Sequence, residues 1–191
     1  MGRNIKKRFP APYRLIMCEG IKDKPYMQAL CLVLFSFPQS SWSLKPNIDH
    51  AYGGAQWKIV TTASQKLQSI NDKRSRALVI IDSDRGIENK NERIKAETLA
   101  NRFPAKYGRI ELLYLAPCLE GFVLSLNGKC AFENATSLQC KQGLAELCEQ
   151  LRIQPGLPSS MVRLFPFTAL NFVPHHPNMF RILQWLNAVS Q

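Results

Sequence analysis

The chain has 191 residues, of which 46% are hydrophobic and 20% are charged, and this composition excludes an intrinsically disordered protein. Its length predicts about one globular domain that buries a substantial core. Its 25 Lys and Arg outnumber 14 Asp and Glu, and the net charge of +11 favours an anionic partner, nucleic acid before a membrane.

The apolar segment at residues 26–37 is too short to span a bilayer, and the acidic residues before it are not typical of a signal peptide. We therefore expect a soluble, cytoplasmic protein that does not enter a membrane. None of the six cysteines belongs to a C-x-x-C pair, so neither a zinc site nor a disulfide framework is predicted. Buried free thiols in a reducing compartment are the favoured interpretation.

The amino-terminal third begins with a basic segment and a first strand. Residues 1–12 contain four cations and two prolines and are interpreted as a basic arm, either a contributor to phosphate binding or a solvated tail. An apolar run from Arg14 ends in Glu19 and Gly20, which predicts a strand with Glu19 at its carboxyl end. Residues 24–37 predict a helix that is apolar almost all round, so it is deeply packed or lies in an interface.

Two further elements lead to the centre of the chain. Residues 47–52 predict a short strand that ends at a glycine pair, Gly53 and Gly54. Residues 55–71 carry apolar side chains at helical spacing and predict an amphipathic helix. Residues 77–81 are five consecutive apolar residues followed by Asp82, a pattern typical of a strand buried on both faces of a parallel sheet.

Asp82 and Asp84 follow this central strand. Side chains alternate along a strand, so acids spaced by two residues can point the same way, about 6–7 Å apart. Ligands of open α/β sheets bind beyond the carboxyl ends of the strands, where paired carboxylates form a site for a hard cation. Alternatively, the two acids only end the strand and begin a turn, because Asp and Gly are ordinary turn residues.

The rest of the chain continues the alternation of strands and helices. We predict helices at residues 91–103, 116–128, 143–151 and 179–189, a strand at residues 109–115, and irregular structure at residues 154–177. The fold class is therefore α/β, with a mostly parallel four-stranded sheet flanked by helices and a helical carboxyl-terminal extension. The expected organisation is an arm at residues 1–12, an α/β domain at residues 13–128 and the extension at residues 129–191.

Four acids share one predicted setting, because Glu19, Asp82 and Asp84 follow strands of the sheet and Glu120 comes after the last strand. This arrangement resembles the Toprim domain, the metal-dependent catalytic module of type II topoisomerases, bacterial primases and several nucleases. The matching segments are E-G at residues 19–20, G-G at residues 53–54 and D-S-D at residues 82–84. The resemblance covers residues 14–128.

The segment P-C-L-E-G-F at residues 117–122 further resembles a motif of the small RloB-like and OLD-type Toprim nucleases of bacterial defence systems. Such proteins are often encoded beside an ATPase. The chain departs from the motif because Phe122, rather than tryptophan, lies two residues beyond Glu120, and no leucine-leucine-histidine follows.

The resemblance implies a Toprim-like (Rossmann-like) fold and a Mg²⁺- or Mn²⁺-dependent nuclease that hydrolyses phosphodiester bonds in DNA or RNA. Asp82 and Asp84 are then metal ligands, Glu19 is a metal ligand or a general acid/base, and Glu120 is a fourth ligand. It also implies an effector role in an antiviral defence assembly with an ATPase partner. A phosphodiester resists attack until its negative charge is neutralised, which a cation held by carboxylates can do.

Basic and apolar surfaces indicate partners. Arg85 and the cluster of Lys73, Arg74 and Arg76 are candidates for nucleic-acid contacts through phosphates, or are solvated surface charges. The apolar helix at residues 179–189 predicts a protein partner or a homo-oligomer. The sequence has no phosphate-loop motif for ATP and no zinc-protease or serine-hydrolase motif. The alternative function is a non-catalytic Toprim-fold interaction or nucleic-acid-binding subunit of a larger complex.

Overall fold

The computed structural model describes residues 11–36, 44–83, 90–129, 135–166 and 176–188. Its strands are β1 (Arg14–Cys18), β2 (Asn47–His50), β3 (Arg76–Asp82) and β4 (Arg109–Leu115). They form one sheet in the order β2-β1-β3-β4, and every neighbouring pair is parallel. The predicted four-stranded parallel sheet is confirmed.

Helices connect the strands and cover both faces of the sheet. The α-helices are α1 (Lys24–Ser36), α2 (Gln56–Ile70), α3 (Lys90–Asn101), α4 (Leu119–Leu126), α5 (Ser137–Gln150), α6 (Pro158–Met161) and α7 (Pro177–Ala188), with 3₁₀ helices at Ala105–Tyr107 and Val162–Leu164. The chain is thus an α/β protein with helices at its carboxyl-terminal end, as predicted. No helix in the described part of the chain is both long and apolar enough to cross a membrane.

The central strand β3 is buried on both faces, as its unbroken apolar run predicts. Its residues 77–81 are each at most 3% exposed. Leu78 and Ile80 face the core formed with α1, α4 and the helices after residue 135, whereas Val79 and Ile81 face the core formed with α2 and α3. Burying a side chain of this size stabilises the fold by about 1.5–3 kcal/mol, so β3 anchors the sheet.

The helices after residue 135 share a core with the first part of the chain. Leu144 of α5, Met161 of α6 and Trp185 of α7 are at most 3% exposed and belong to the same buried cluster as Leu30 of α1 and Phe122 of α4. The extension therefore packs directly on one helical layer of the sheet.

Helix α5 begins about two turns before the predicted start at residue 143. A capping box fixes its first turn: the N–H of Gln139 donates to the Thr136 hydroxyl (3.3 Å), and the N–H of Thr136 donates to the Gln139 side chain (2.8 Å). The T-S-L-Q pattern is therefore a helix start that the periodicity alone does not reveal. Part of the segment predicted as irregular, residues 154–177, is also helical, because it contains α6 and one 3₁₀ helix.

The apolar residues of α7 are largely covered by the chain itself. Met179, Ile182, Trp185 and Leu186 are at most 3% exposed, whereas Phe180 is 47% exposed. These buried residues form the apolar stripe of α7 from which a partner surface was predicted, so most of that stripe packs in the chain's own core. Among the described residues of α7, Phe180 is the large apolar side chain that remains exposed.

Candidate functional site: a carboxylate cleft

The strand order creates a crevice at the carboxyl edge of β1 and β3. The chain leaves β1 towards β2 on one side of the sheet and leaves β3 towards β4 on the other, although β1 and β3 are neighbours. Connections that diverge in this way leave an opening between the two strands, and this is where open α/β sheets bind ligands.

A cleft of about 630 Å³ lies at this edge. It brings together Glu19, Asp82 and Glu120, three of the four acids that the sequence singles out. The other lining residues are Gly20, Ile21, Lys22, Asp23, Tyr52, Gly53 and Lys141. Asp84, the fourth predicted acid, lies outside the described residues, as does Arg85.

Asp82 is the last residue of β3 and is held by the next helix. Its Oδ1 accepts a hydrogen bond from the backbone N–H of Leu119, the first residue of α4, at 2.9 Å. The N–H of Ser83 donates to the carbonyl of Leu115 at 2.8 Å, so the pairing of β3 with β4 continues past Asp82. A carboxylate at a helix N-terminus is favoured by the helix dipole and by the unpaired N–H groups there.

Glu19 follows β1 directly, and the loop after β2 is hydrogen-bonded to the same strand end. The N–H of Ala51 donates to the carbonyl of Cys18 at 3.1 Å, and the N–H of Gly53 donates to the carbonyl of Glu19 at 2.8 Å. Between these bonds Tyr52 has φ +60°, and its side chain is 85% exposed. The glycine at residue 53 adopts φ +75°, a conformation that other residues rarely take.

Glu120 lies in the first turn of α4, which packs closely on its surroundings. A Cβ added at Gly121 would lie 2.9 Å from Cδ of Pro117 and 3.2 Å from Sγ of Cys140, so a glycine is needed for this approach. Cys118, which precedes the helix, is fully buried. Burial raises the pKa of the Cys118 thiol, and the negative charges of Glu120 and Asp82 raise it further. This thiol is therefore not an activated nucleophile.

Asp23 is a cleft acid that the sequence reasoning missed. It closes a turn before α1: its Oδ2 accepts the N–H of Gly20 at 2.7 Å, and its own N–H donates to the carbonyl of Gly20 at 3.2 Å. Burial raises the pKa of Asp23, the charge of Glu120 adds to the increase, and the Gly20 N–H and Lys141 oppose it. The E-G-x-x-D spacing is the sequence signal that could have found this turn.

Two cations, Lys22 and Lys141, also line the cleft and were not predicted. Lys22 belongs to the turn after Glu19, and Lys141 lies in α5. No local pattern marks Lys141, because its place depends on the packing of α5 against α4. The extension therefore contributes a side chain to the site.

The basic cluster predicted to bind nucleic acid does not lie at the cleft. Arg76 is the first residue of β3 and Asp82 the last, and a strand of this length separates them by about 20 Å. Lys73 and Arg74 precede the strand, and Arg74 forms an ion pair with Asp72 at 2.8 Å. These residues lie at the opposite, amino edge of the sheet.

The Toprim resemblance implies a divalent metal ion, and the cleft offers carboxylates that could hold one. Carboxylate oxygens are the ligands that Mg²⁺ and Mn²⁺ prefer, so the residue types suit a hard cation. In the described part of the chain, however, no three His, Cys, Asp or Glu side chains are grouped closely enough to hold one ion. A complete ligand shell would need a change of side-chain conformation, water molecules or a further residue.

Comparison with known proteins adds no assignment to this geometry. The chain matches no protein-family model, no curated protein and no solved structure.

Proposed function

We propose that this protein is a Mg²⁺- or Mn²⁺-dependent Toprim-type nuclease that hydrolyses phosphodiester bonds in DNA or RNA. The observation that carries the proposal is that Glu19, Asp82 and Glu120 line one cleft at the carboxyl edge between β1 and β3. They come from three separate segments of the chain, which the fold brings together at this edge.

The charge of the cleft favours a bound cation. Glu19, Asp23, Asp82 and Glu120 all line it, and carboxylates gathered in one place repel each other unless protons or cations compensate for them. A bound divalent cation would neutralise phosphate charge and lower the pKa of a water ligand. Glu19, Asp82 and Glu120 are the proposed ligands in the described residues, and Asp84 is a further proposed ligand.

The chain's own residues then have distinct roles in hydrolysis. The Leu119 N–H orients the Asp82 carboxylate, and Lys22 and Lys141 offer positive charge to non-bridging phosphate oxygens. A water oxygen forms a bond to phosphorus while the P–O bond to the leaving sugar oxygen breaks. Glu19 is proposed either as a metal ligand or as the general acid/base. In the second role it carries the proton that passes from the water to the leaving oxygen.

A second candidate function is a non-catalytic Toprim-fold subunit that binds nucleic acid or another protein. The observation that favours it is that no three metal-ligating side chains converge within the described residues. In this case the cleft acids would not support turnover with any divalent cation.

The motif at residues 117–122 supports a role in an antiviral defence assembly. We propose an ATPase partner for this assembly, because the small RloB-like proteins that the motif resembles are often encoded beside an ATPase. The exposed side chain of Phe180 on α7 is a candidate contact for such a partner or for a second copy of the chain. We also propose a cytoplasmic location, in keeping with the implied assembly.

The deciding experiment incubates the purified full-length protein with labelled single-stranded DNA, duplex DNA and RNA. Each substrate is tested with a chelator, with Mg²⁺ and with Mn²⁺. We expect cleavage of at least one substrate that requires a divalent cation and is abolished in Asp82→Asn. The matched control is Glu111→Gln, which changes an exposed acid of β4 that does not line the cleft and should leave cleavage intact. Cleavage that persists in Asp82→Asn would refute the proposal.

A further inference from the structure

The amino edge of the sheet, opposite the cleft, carries a concentrated positive charge. Three segments meet there: residues 11–14, residues 71–76 and residues 102–109. Together they contain seven cations and a single acid, Asp72. The cations, called here the amino-edge cations, are Arg14, Lys73, Arg74, Arg76, Arg102, Lys106 and Arg109.

Two of these segments are in direct contact. The N–H of Arg109 donates to the carbonyl of Ser75 at 3.0 Å. A Cβ added at Gly108, where φ is +117°, would lie 2.1 Å from that same carbonyl oxygen, so only glycine permits this approach. The basic residues before β3 and β4 therefore form one continuous surface.

Three arginines lie in register across this edge. Arg14 pairs with Arg76 between β1 and β3, and Arg76 pairs with Arg109 between β3 and β4. Paired residues of neighbouring parallel strands project to the same face, about 4.8 Å apart. Their exposure increases along the row, from buried Arg14 through half-buried Arg76 to exposed Arg109.

The row places three like charges side by side in the sheet. Like charges placed side by side across a sheet destabilise it. Burial lowers the pKa of Arg14, the charges of Arg76 and Arg74 lower it further, and Asp72 opposes them. Arg14 donates to the backbone carbonyl of Arg74, which gives it a structural role. Lys106 lies over the ring of Tyr107, 4.7 Å from its centroid, and Lys73, Arg102 and Arg109 are exposed at this edge.

We infer that the amino edge is a second binding site for the phosphate backbone of nucleic acid, separate from the cleft. Guanidinium groups bind phosphate oxygens in a bidentate manner, and several cations in a row match the regular charge of a polynucleotide. An anionic membrane surface is the competing polyanion, but exposed apolar side chains that would enter it are not part of the amino-edge segments.

A strand bound to both edges must span the sheet. This step rests on the proposed function, because it assumes that the cleft also receives the nucleic acid. The distance along β3 is about 20 Å, which corresponds to about six steps of 3.4 Å along one strand of a duplex. Oligonucleotides much shorter than this can reach only one edge, whereas longer ones can reach both.

The test measures binding of fluorescent oligonucleotides of about 4 and about 20 nucleotides to the full-length protein in a chelator. We expect Arg76→Gln/Arg109→Gln to weaken binding of the long strand about tenfold or more at low salt, and to reduce the salt slope by about two. The short strand meets fewer phosphates, so it should bind wild type more weakly than the long strand does, and its binding should also fall in this variant. Arg76→Lys/Arg109→Lys, which keeps the charge, should retain most of the affinity for the long strand.

The control variant Arg152→Gln/Arg163→Gln removes the same charge from two exposed positions of the extension and should bind both strands as wild type does. Unchanged binding by the Arg76/Arg109 variant, an equal loss in the control, or equally tight binding to anionic phospholipid vesicles would overturn the inference. If wild type cleaves with Mg²⁺ and the Arg76/Arg109 variant changes nothing, only this inference fails. If wild type never cleaves but shows the length dependence, only the nuclease proposal fails.

Discussion

The carboxylate of Asp82 and the backbone N–H of Leu119 form a hydrogen bond of 2.9 Å that joins the end of β3 to the start of α4. Glu120 is the next residue of that helix. The bond therefore sets the positions of two proposed ligands together, one at the end of a strand and one in the first turn of a helix. It also gives Asp82 a structural role that must be separated from any catalytic one.

Asp82→Asn and Asp82→Ala separate these roles. The Asn amide oxygen can still accept the hydrogen bond from the Leu119 N–H. Asn lacks the charge that is favourable at the helix N-terminus, a loss of about 0.3–1 kcal/mol, but relief of carboxylate repulsion offsets this loss. We expect the free energy of unfolding of Asp82→Asn to lie within about 1 kcal/mol of the wild-type value, and that of Asp82→Ala to be about 0.5–2 kcal/mol lower. Both should lose cleavage. Denaturant melts in a chelator, paired with nuclease assays, check this, and full activity in Asp82→Asn would contradict the assigned role.

Metal binding should be visible as a shift in thermal unfolding. A ligand that binds only the folded state stabilises it by about 2.7 kcal/mol at 100 times its Kd. We expect Mg²⁺ or Mn²⁺ to raise the melting temperature of wild type and of Glu111→Gln, which changes an exposed acid on β4. The shift should be lost in Asp82→Asn and reduced in Glu19→Gln. An equal shift in all four proteins would mean that the ion binds elsewhere.

Cys118 should be unreactive although it lies beside the cleft. Its burial raises the pKa of the thiol, so little thiolate is present at neutral pH. We expect iodoacetamide to label it in denaturant but not in the native protein, as judged by mass spectrometry of the peptide. Cys118→Ala should keep its metal-dependent cleavage. Rapid native labelling together with loss of activity in that variant would instead indicate a thiol nucleophile.

Tyr52 should store conformational strain. A side chain other than glycine in the left-handed region costs about 1–2 kcal/mol, and Tyr52 has φ +60°. Its ring contacts the ring of His50, with 4.4 Å between centroids. We expect Tyr52→Gly to be about 1 kcal/mol more stable than Tyr52→Ala, because both lose the ring but only glycine relieves the strain. Equal stability of the two variants in urea would show that the loop relaxes.

The features that were predicted correctly depend on local pattern. Five consecutive apolar residues predicted the doubly buried strand β3, and the acids at the carboxyl ends of β1 and β3 predicted that Glu19 and Asp82 lie at one edge. Parallel strands place their carboxyl ends together, so these positions follow from sequence order and fold class. The capping box at Thr136 is an equally local pattern. The start of α5 was nevertheless predicted too late, because the prediction relied on apolar periodicity, which begins further along the helix.

The features that were missed depend on packing. Lys141 reaches the cleft only because α5 packs against α4, and no pattern around it reveals this contact. The cluster of Lys73, Arg74 and Arg76 is close to Asp82 in sequence, yet an extended strand places it about 20 Å away. Proximity along the chain is a poor guide to proximity in space when the intervening residues form a strand.

The pH dependence of stability should distinguish Asp23 from Asp72. Burial raises the pKa of Asp23 above its ordinary value of 3.8. At a pH between the unfolded and the folded pKa values, the folded state therefore holds a proton that the unfolded state has released. Stability is therefore lost as the pH rises from the unfolded pKa through the folded one. The hydrogen bonds from Arg74 instead lower the pKa of Asp72, so its stabilising effect is present above its unfolded pKa and is lost as the pH falls.

Replacing each acid by Asn should consequently shift stability in opposite directions. In a chelator at about pH 7, we expect Asp23→Asn to be more stable than wild type and Asp72→Asn to be less stable. At about pH 3 both differences should shrink, because the unfolded carboxylates are then largely protonated. The Asn oxygen can still accept the Gly20 N–H, so the turn before α1 is kept. Urea unfolding at the two pH values checks this, and loss of stability in Asp23→Asn at neutral pH would show that the Asp23 carboxylate is stabilised by its cleft rather than strained within it.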